Sequence, residues 1–364
     1  MSLISYLTRI HFADGVVESA LPAELDDLGI ARPLIVADRH VAGAGLLERI
    51  TDALPATLAP AAHESAALRP CAAEAAQLAA CYRQHACDGL VALGGGAIID
   101  LAKVTAVLVS HARPLAALAG GGGRLGPIRD VLPPIVAIPT TAGSGAEVVG
   151  SARVALEDGR TAVLSSPYLI PKVAILDPTL TLELPPALTA GTGMDALSHC
   201  IETFLATAYN PPADGIALDG ITRIALHLER AVEDGRDLGA RREMMAAALD
   251  GALAVQKGLG GVHAASHALG ALDGHRLNHG MLNAVLLPPV IEFNAPAVGG
   301  RYAAIKRALG LGSRADLAPR ARPRPRGNRT RRAPSRARPG EPHQPAPRPQ
   351  RRLPGVDAGC PLSD

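Results

Sequence analysis

Aromatic side chains are almost missing from this 364-residue chain, which has no Trp, three Phe and five Tyr. Its core must therefore be packed by Ala, Leu, Val and Ile, and a hydrophobic fraction of 48% supplies them. Cysteine is sparse as well. Cys71, Cys81, Cys87, Cys200 and Cys360 are odd in number and form no CxxC pair, which fits unpaired thiols in a reducing cytoplasm. The opening MSLISYLTRIHFADG lacks a basic stretch followed by an apolar one, so no secretory signal is expected. No stretch approaches the roughly 18 uninterrupted apolar residues of a membrane span, so no membrane partner is expected either. The glycine turn GLVALGGGAII is not GxGxxG, so the fingerprint of ordinary dinucleotide folds is missing there.

Lysine is absent from the last part of the chain, where Arg314 to Asp364 hold thirteen Arg and four acids, a balance of +9. The formal total is only +2, so the preceding residues carry −7. The body is thus a mildly acidic protein with a basic tail. Residues 319–352 (PRARPRPRGNRTRRAPSRARPGEPHQPAPRPQRR) show neither helical nor strand periodicity, and their prolines oppose regular elements. A disordered segment over 313–364 is expected. Arg, Pro, Ala and Gly without Lys is also the composition of a GC-rich coding sequence read in a shifted frame, and a frameshift is the origin expected for this tail. A genuine disordered arm is the alternative. Such an arm would bind nucleic acid through its arginines, but the lack of Lys and of interleaved aromatics argues against that partner.

What is present alternates. PLIVAD (33–38), GLVALGGG (89–96), PIVAIPTT (134–141) and VAILDP (173–178) read as buried strands. Between them, GLLERITDAL (45–54), AAEAAQLAACYRQHAC (72–87) and AIIDLAKVTAVLV (97–109) read as helices. Strands alternating with helices predict βαβ units and a parallel sheet. From about Leu184 to Leu311 the pattern turns helical, over 194–208, 213–232, 238–257 and 283–294, with a His-rich turn-and-helix region before the last. The expected plan is an α/β domain over 1–182, a helical domain over 183–312 and the tail over 313–364.

Four stretches carry chemistry. VALGGGAIIDLAK (91–103) places Gly94, Gly95 and Gly96 between strand and helix, where glycines let backbone approach a pyrophosphate and free helix N–H groups attract it. A Gly-rich tight turn is the bland alternative. PTTAGSGAE (139–147) offers Thr140, Thr141 and Ser144 after another strand, as cofactor contacts or as a helix-capping loop. Asp38 ends the first apolar strand, where dinucleotide folds carry the acid that accepts from a ribose hydroxyl.

The third stretch is GTGMDALSHCIETFLATAY (191–209), with Asp195 and His199 one turn apart. Side chains at i and i+4 diverge by about 40° around a helix, so both point the same way. Taken alone they make an ordinary surface pair, but Met194, Ala196, Leu197, Ile201 and Phe204 argue against a solvated face. Further along, GVHAASHALGALDGHRLNHG (261–280) holds His263, His267, His275 and His279. A carboxylate with several imidazoles suits Fe(II) or Zn(II) and not Mg or Ca.

Together GGGAIIDLAK, PTTAGSGAEV, AILDPTLTLELPPALTAGTGMDALSHCIET and HAASHALGALDGHRLNHGMLNAVLLPPVIEFNAP resemble, in this order, the iron-containing (group III) alcohol dehydrogenases. The resemblance covers about residues 5–312, and nothing after that point matches the family. It implies a dehydroquinate synthase-like architecture whose last helices are replaced here, with a cleft holding metal and nicotinamide between the two domains. Residue by residue, it implies Asp195, His199, His263 and His279 as metal ligands, with His275 a rival to His279. It implies His267 as a proton relay near the nicotinamide. Asp38, Gly94, Gly95, Gly96, Asp100, Thr140, Thr141 and Ser144 become cofactor contacts, and an acid at 38 favours NAD over NADP. Ala97, Ser144 and Ala146 depart from the family's commoner residues, Thr161 stands where many members have Lys, and LDGHRLNHG is about two residues longer than usual. The implied activity is hydride transfer between NAD(H) and an alcohol, aldehyde or ketone in a homo-oligomer of at least two copies. A glycerol-dehydrogenase-like relative and a weakly active remnant are the alternatives.

Overall fold

The computed structural model describes residues 6, 8–66, 69–120, 125–270 and 278–312. The tail over 313–364 and the rival ligand His275 lie outside the described residues. The strands are β1 (Arg9–Phe12), β2 (Pro33–Asp38), β3 (Ala61–Ser65), β4 (Gly89–Gly94), β5 (Ile135–Pro139), β6 (Ser151–Ala155), β7 (Thr161–Ser165) and β8 (Val173–Leu176). The helices of the first half are α1 (Val17–Asp27), α2 (Arg39–Gly43), α3 (Leu46–Asp52), α4 (Ala72–Gln84), α5 (Gly96–Ser110) and α6 (Leu115–Leu118). Those of the second half are α7 (Pro186–Leu205), α8 (Pro211–Glu233), α9 (Leu238–Ala254), α10 (Gly261–Gly270), α11 (His279–Val298) and α12 (Gly300–Ala308).

Six strands form one parallel sheet in the order β1-β8-β5-β4-β2-β3. Its central strands are apolar at every position because helices cover both faces. Leu34, Val36, Leu90, Ala92 and Ala137 enter the core shared with α4 and α5, while Ile35, Ala37, Val91, Leu93, Val136 and Ile138 enter the core shared with α1 and α3. The antiparallel hairpin β6–β7 lies apart from the sheet and buries Ala152, Val154, Ala162 and Leu164 in the first of these cores. The expected parallel α/β half is present, and it contains three pieces that the sequence pattern did not announce: β1, β3 and the hairpin.

After a single turn of 3-10 helix over Pro178–Thr181 every remaining element is helical. α7 begins at Pro186, earlier than the expected 194, because a proline at the first helical position costs no hydrogen bond. α8 and α9 start where Asn210 and Asp237 accept from the N–H groups of Ala213 and Ala240. Their apolar faces meet those of α7, α11 and α12 in a third core containing Leu197, Ile201, Ile221, Met244, Leu287 and Ile291. By length and composition α11 would also suit a membrane, with three prolines within it. It is instead a helix of this core, burying Asn283, Ala284, Leu287 and Ile291.

Candidate metal centre and cofactor cleft

The three glycines and the hydroxyl loop meet at the carboxyl edge of the sheet. β4 ends at Gly94, whose carbonyl accepts from the N–H of Thr140 at 3.1 Å. A Cβ on Gly95 would come within 3.3 Å of Thr141, and one on Gly96 would overlap Ser144 Oγ at 2.4 Å. The loop after β5 therefore lies directly on the glycine turn, and glycine is required for that approach. Asp38 ends the neighbouring strand β2 at the same edge and caps α2, accepting from the His40 N–H at 2.7 Å. This edge is where parallel α/β sheets bind nucleotides.

Asp100 and Lys103, on the same helix as the glycine turn, face the hairpin. Asp100 accepts from the backbone N–H of Arg153 at 3.0 Å, so that part of this expected cofactor contact holds protein backbone. Lys103 is completely buried and donates to the carbonyls of Ala146, Val149 and Ser151 at 2.7, 2.7 and 2.9 Å. Burial pulls its amine down to about 8, against the pull of Asp100 and Glu147.

The same loop reaches the helical half. A Cβ on Gly143 would sit 2.7 Å from Thr192 of α7, and one on Gly145 only 2.0 Å from the Ala252 Cβ of α9. Gly145 also has φ +64°, a conformation that favours glycine. Where α11 begins, Gly280 packs on Gly191 of α7 so closely that a Cβ would lie only 2.0 Å from the Gly191 carbonyl oxygen. Backbone against backbone thus brings the cofactor loop to the helices that carry the acid and the imidazoles.

Asp195, His199 and Glu202 follow one another along the inner face of α7, at 5%, 6% and 5% exposure. The His263 Nε2 of α10 and the His279 Nε2 of α11 each lie 3.5 Å from Asp195 Oδ1. One ligand atom from each of Asp195, His263 and His279 falls within 4.8 Å of the other two. His199 is not within that trio. Its ring stacks on His263 at a centroid distance of 4.4 Å, and its Nδ1 is buried with no partner. His267 stacks on His279 at 5.2 Å and meets His263 edge-on at 5.8 Å.

Two residues that the motifs did not single out complete the centre. Glu202 accepts from His263 Nδ1 at 2.7 Å and from the backbone N–H groups of Val262 and His263 at 2.6 and 3.2 Å. It thereby caps the first turn of α10 and holds the Nδ1 proton of His263, which leaves Nε2 as the ring nitrogen that faces Asp195. Asn283, one turn along α11 from His279, donates its amide to Asp195 Oδ1 at 2.7 Å and lies 3.3 Å from both Nε2 atoms. Its Oδ1 is buried without a partner. Spacing along the helices held the signal for both, at i+7 from Asp195 and i+4 from His279.

The charges follow from this packing. Burial works to raise the Asp195 carboxyl, but His199, a hydrogen bond from His263 and the charge of His279 outweigh it and hold it well below the carboxylate range. Burial pulls His199 down to about 4 and His279 downward as well. Burial, then the nearby charge of Arg153, pulls His267 down to about 3. His263 goes the other way: burial opposes its charge, but hydrogen bonds to Asp195 and Glu202 raise it to about 9. The donors fit a divalent transition metal. An ionised carboxylate and imidazole nitrogens aim lone pairs at one place, an electropositive amide lies among them, and a buried imidazole nitrogen has no partner.

Comparison with known proteins agrees with this geometry. The family model for iron-containing alcohol dehydrogenase matches residues 8–178, and the one for the C-terminal part of the Fe-containing alcohol dehydrogenase family matches 189–321. The likeness therefore runs past residue 312, and the expected end of family resemblance at that point was set too early. A 4-hydroxybutyrate dehydrogenase from Cupriavidus necator is 50% identical over 328 residues, covering 87% of this chain and 85% of that protein. A crystal structure of a 1,3-propanediol oxidoreductase superposes with a TM-score of 0.81 at 31% identity, covering 88% of this chain and 83% of the other. A sulfoacetaldehyde reductase from Bifidobacterium kashiwanohense, solved in complex with NAD+, gives 0.75 at 26% identity over 86% and 87%. With family models matching both its α/β half and its helical half, and a relative 50% identical over most of its length, the chain belongs to the iron-containing alcohol dehydrogenase family.

Proposed function

We propose that this NAD-dependent, iron-type alcohol oxidoreductase holds its divalent metal on Asp195, His199, His263 and His279, and that its substrate is a short ω-hydroxy acid such as 4-hydroxybutyrate. The convergence of Asp195 Oδ1 with the Nε2 atoms of His263 and His279 carries the first part. The 50% identical 4-hydroxybutyrate dehydrogenase supports the second. Held by these residues, the metal would supply Lewis acidity to the alcohol or carbonyl oxygen, and bound NAD would supply the two-electron hydride acceptor.

The side chains have distinct tasks. Asp195 brings the negative charge that balances a divalent cation, while Glu202 and Asn283 orient the donors from behind. Gly94, Gly95 and Gly96 give the pyrophosphate backbone N–H groups, and Asp38 takes a ribose hydroxyl. Thr140, Thr141 and Ser144 line the path towards the metal centre. His267, stacked on His279 at 5.2 Å, is the proposed relay that passes the hydroxyl proton towards solvent. Positioning the carbinol carbon near C4 of the nicotinamide, within about 3–3.5 Å, is the remaining work of the cleft. The described Cys71, Cys81, Cys87 and Cys200 are free thiols, which supports the proposed cytoplasmic location. Family resemblance supports a homo-oligomer, which size-exclusion chromatography with light scattering tests.

Metal analysis alongside a dehydrogenase assay tests the assignment. Asp195→Ala and His263→Ala should lose most of their metal, whereas His267→Ala should keep it and turn over more slowly. Metal retained after both ligand substitutions together would refute the donor set.

A further inference from the structure

Arg153 occupies the middle of β6, on the face of the hairpin opposite the buried Ala152 and Val154. The side chain is half-buried, and burial disfavours its charge. An arginine withdrawn from water is normally matched by a carboxylate or phosphate. Among the described residues no hydrogen bond or ion pair engages this guanidinium. Asp100 and Asp195 are the acids whose fields reach it, and neither lies within 4 Å. Asp100, moreover, is engaged with the backbone N–H of Arg153 itself.

A second guanidinium stands close by. The Ala155 N–H donates to the Pro70 carbonyl at 2.9 Å and Cys71 bridges to Ala155, so the segment carrying Arg69 runs along the end of β6. Arg69 reaches over to the carbonyl of Gly270, at the end of α10, with a 3.0 Å hydrogen bond. Gly270 is one turn beyond His267 on the same helix. Arg69 repels the charge of Arg153, and the charge of Arg153 is felt in turn at His267, His279 and Asp195. Two positive groups therefore flank the metal centre on the His267 side, repelling each other, with no carboxylate paired to either among the described residues.

We infer that Arg153, assisted by Arg69, binds the carboxylate of the substrate and makes this enzyme selective for ω-hydroxy acids over neutral alcohols. The inference rests on the dehydrogenase reading above and adds the residue that reads the far end of the substrate. The fork of donors on a guanidinium matches both oxygens of a carboxylate, and bound anion relieves the repulsion between the two arginines. A carboxylate held there leaves the carbinol end of the same molecule free to reach the Asp195 and histidine centre. A neutral alcohol of equal length gains nothing from either arginine.

The test compares wild type with Arg153→Leu and Arg153→Lys. Iron-loaded protein is assayed with NAD on 4-hydroxybutyrate and on 1,4-butanediol, its neutral counterpart. In Arg153→Leu the ratio of kcat/KM for the acid to that for the diol should fall by about tenfold or more, the worth of a lost charged hydrogen bond, with the fall mainly in KM for the acid. Arg153→Lys should recover part of the ratio. Calorimetric titration of butyrate into protein saturated with NAD gives a reading that needs no turnover, and Arg153→Leu should weaken that binding by a similar factor. A ratio and a butyrate affinity both within twofold of wild type would overturn the inference and leave the dehydrogenase reading in place. Butyrate bound in an Arg153-dependent way by protein that oxidises neither substrate would uphold the carboxylate site and count against the dehydrogenase reading.

Discussion

Replacing Glu202 by Gln changes one oxygen into an NH2 group and leaves the shape of the side chain almost unaltered. In the native centre one carboxylate serves three donors: His263 Nδ1 at 2.7 Å and the N–H groups of Val262 and His263 at 2.6 and 3.2 Å. Burial works to raise the Glu202 carboxyl, but these hydrogen bonds outweigh it and keep it ionised at neutral pH. A glutamine amide can present oxygen to only one side. With its oxygen on the backbone N–H groups, its NH2 faces Nδ1 and drives the His263 proton to Nε2, where it covers the lone pair aimed at the metal. With the amide turned round, NH2 meets N–H at the start of α10, at a cost of about 1–3 kcal/mol for the unsatisfied donor. Either way the metal affinity should fall by about 10–100-fold, the usual effect of losing a residue that orients a ligating histidine. That corresponds to about 1.4–2.7 kcal/mol. Equilibrium dialysis against chelator-buffered Fe(II) or Zn(II), with metal measured by mass spectrometry, reads the affinity directly. The melting temperature of the metal-free protein separates this effect from loss of the helix cap, and Glu202→Asp should restore part of the affinity. A folded Glu202→Gln protein whose metal affinity stays within threefold of wild type would refute the orienting role.

Three further outcomes follow from other parts of the molecule. Lys103→Met orphans three buried carbonyls, so chemical unfolding of the metal-free protein at pH 7 should show a loss of about 3 kcal/mol or more, at about 1–3 kcal/mol for each. A loss below about 1 kcal/mol would mean those carbonyls find other donors. NAD should be preferred to NADP, and Asp38→Gly should narrow the gap in kcat/KM; a wild-type preference for NADP would remove the ribose role of Asp38. Burial, with Asp219 and Glu243 alongside, pushes Asp250 up to about 7. A carboxyl raised in the folded state binds more protons there than in the unfolded chain between about pH 4 and 7, so stability falls as pH rises through that window. Asp250→Asn should flatten that fall in urea unfolding series between pH 5 and 8, and an unchanged slope would exclude Asp250 as its source.

The parts legible in the sequence are those in which one element repeats its own pattern. Continuous apolar runs marked β2, β4, β5 and β8 because both faces of those strands are covered. The 3.6-residue period put Asp195 and His199 on one face of a helix before any partner was visible. β1 and β3 escaped notice because RIHF and AAHES are short and half polar; they are strands through pairing with Val173–Leu176 and Leu34–Asp38. Glu202 shares the face of Asp195, yet an acid near the end of a helix usually reads as solvated, and only contact with α10 gives it a task. Arg153 had still less signal, since a single arginine in a short strand acquires meaning only from what the fold brings near it.

The glycine contacts between the cofactor loop and the metal helices also decide what these positions can hold. A Cβ would come 2.7 Å from Thr192 at Gly143 and 2.0 Å from Ala252 at Gly145, and neither neighbour has a flexible end to move aside. A larger residue at either position must therefore push the loop away from α7 and α9. Because Asp195 rides on α7, these two glycines set how closely the cofactor side of the cleft approaches the acid and the imidazoles.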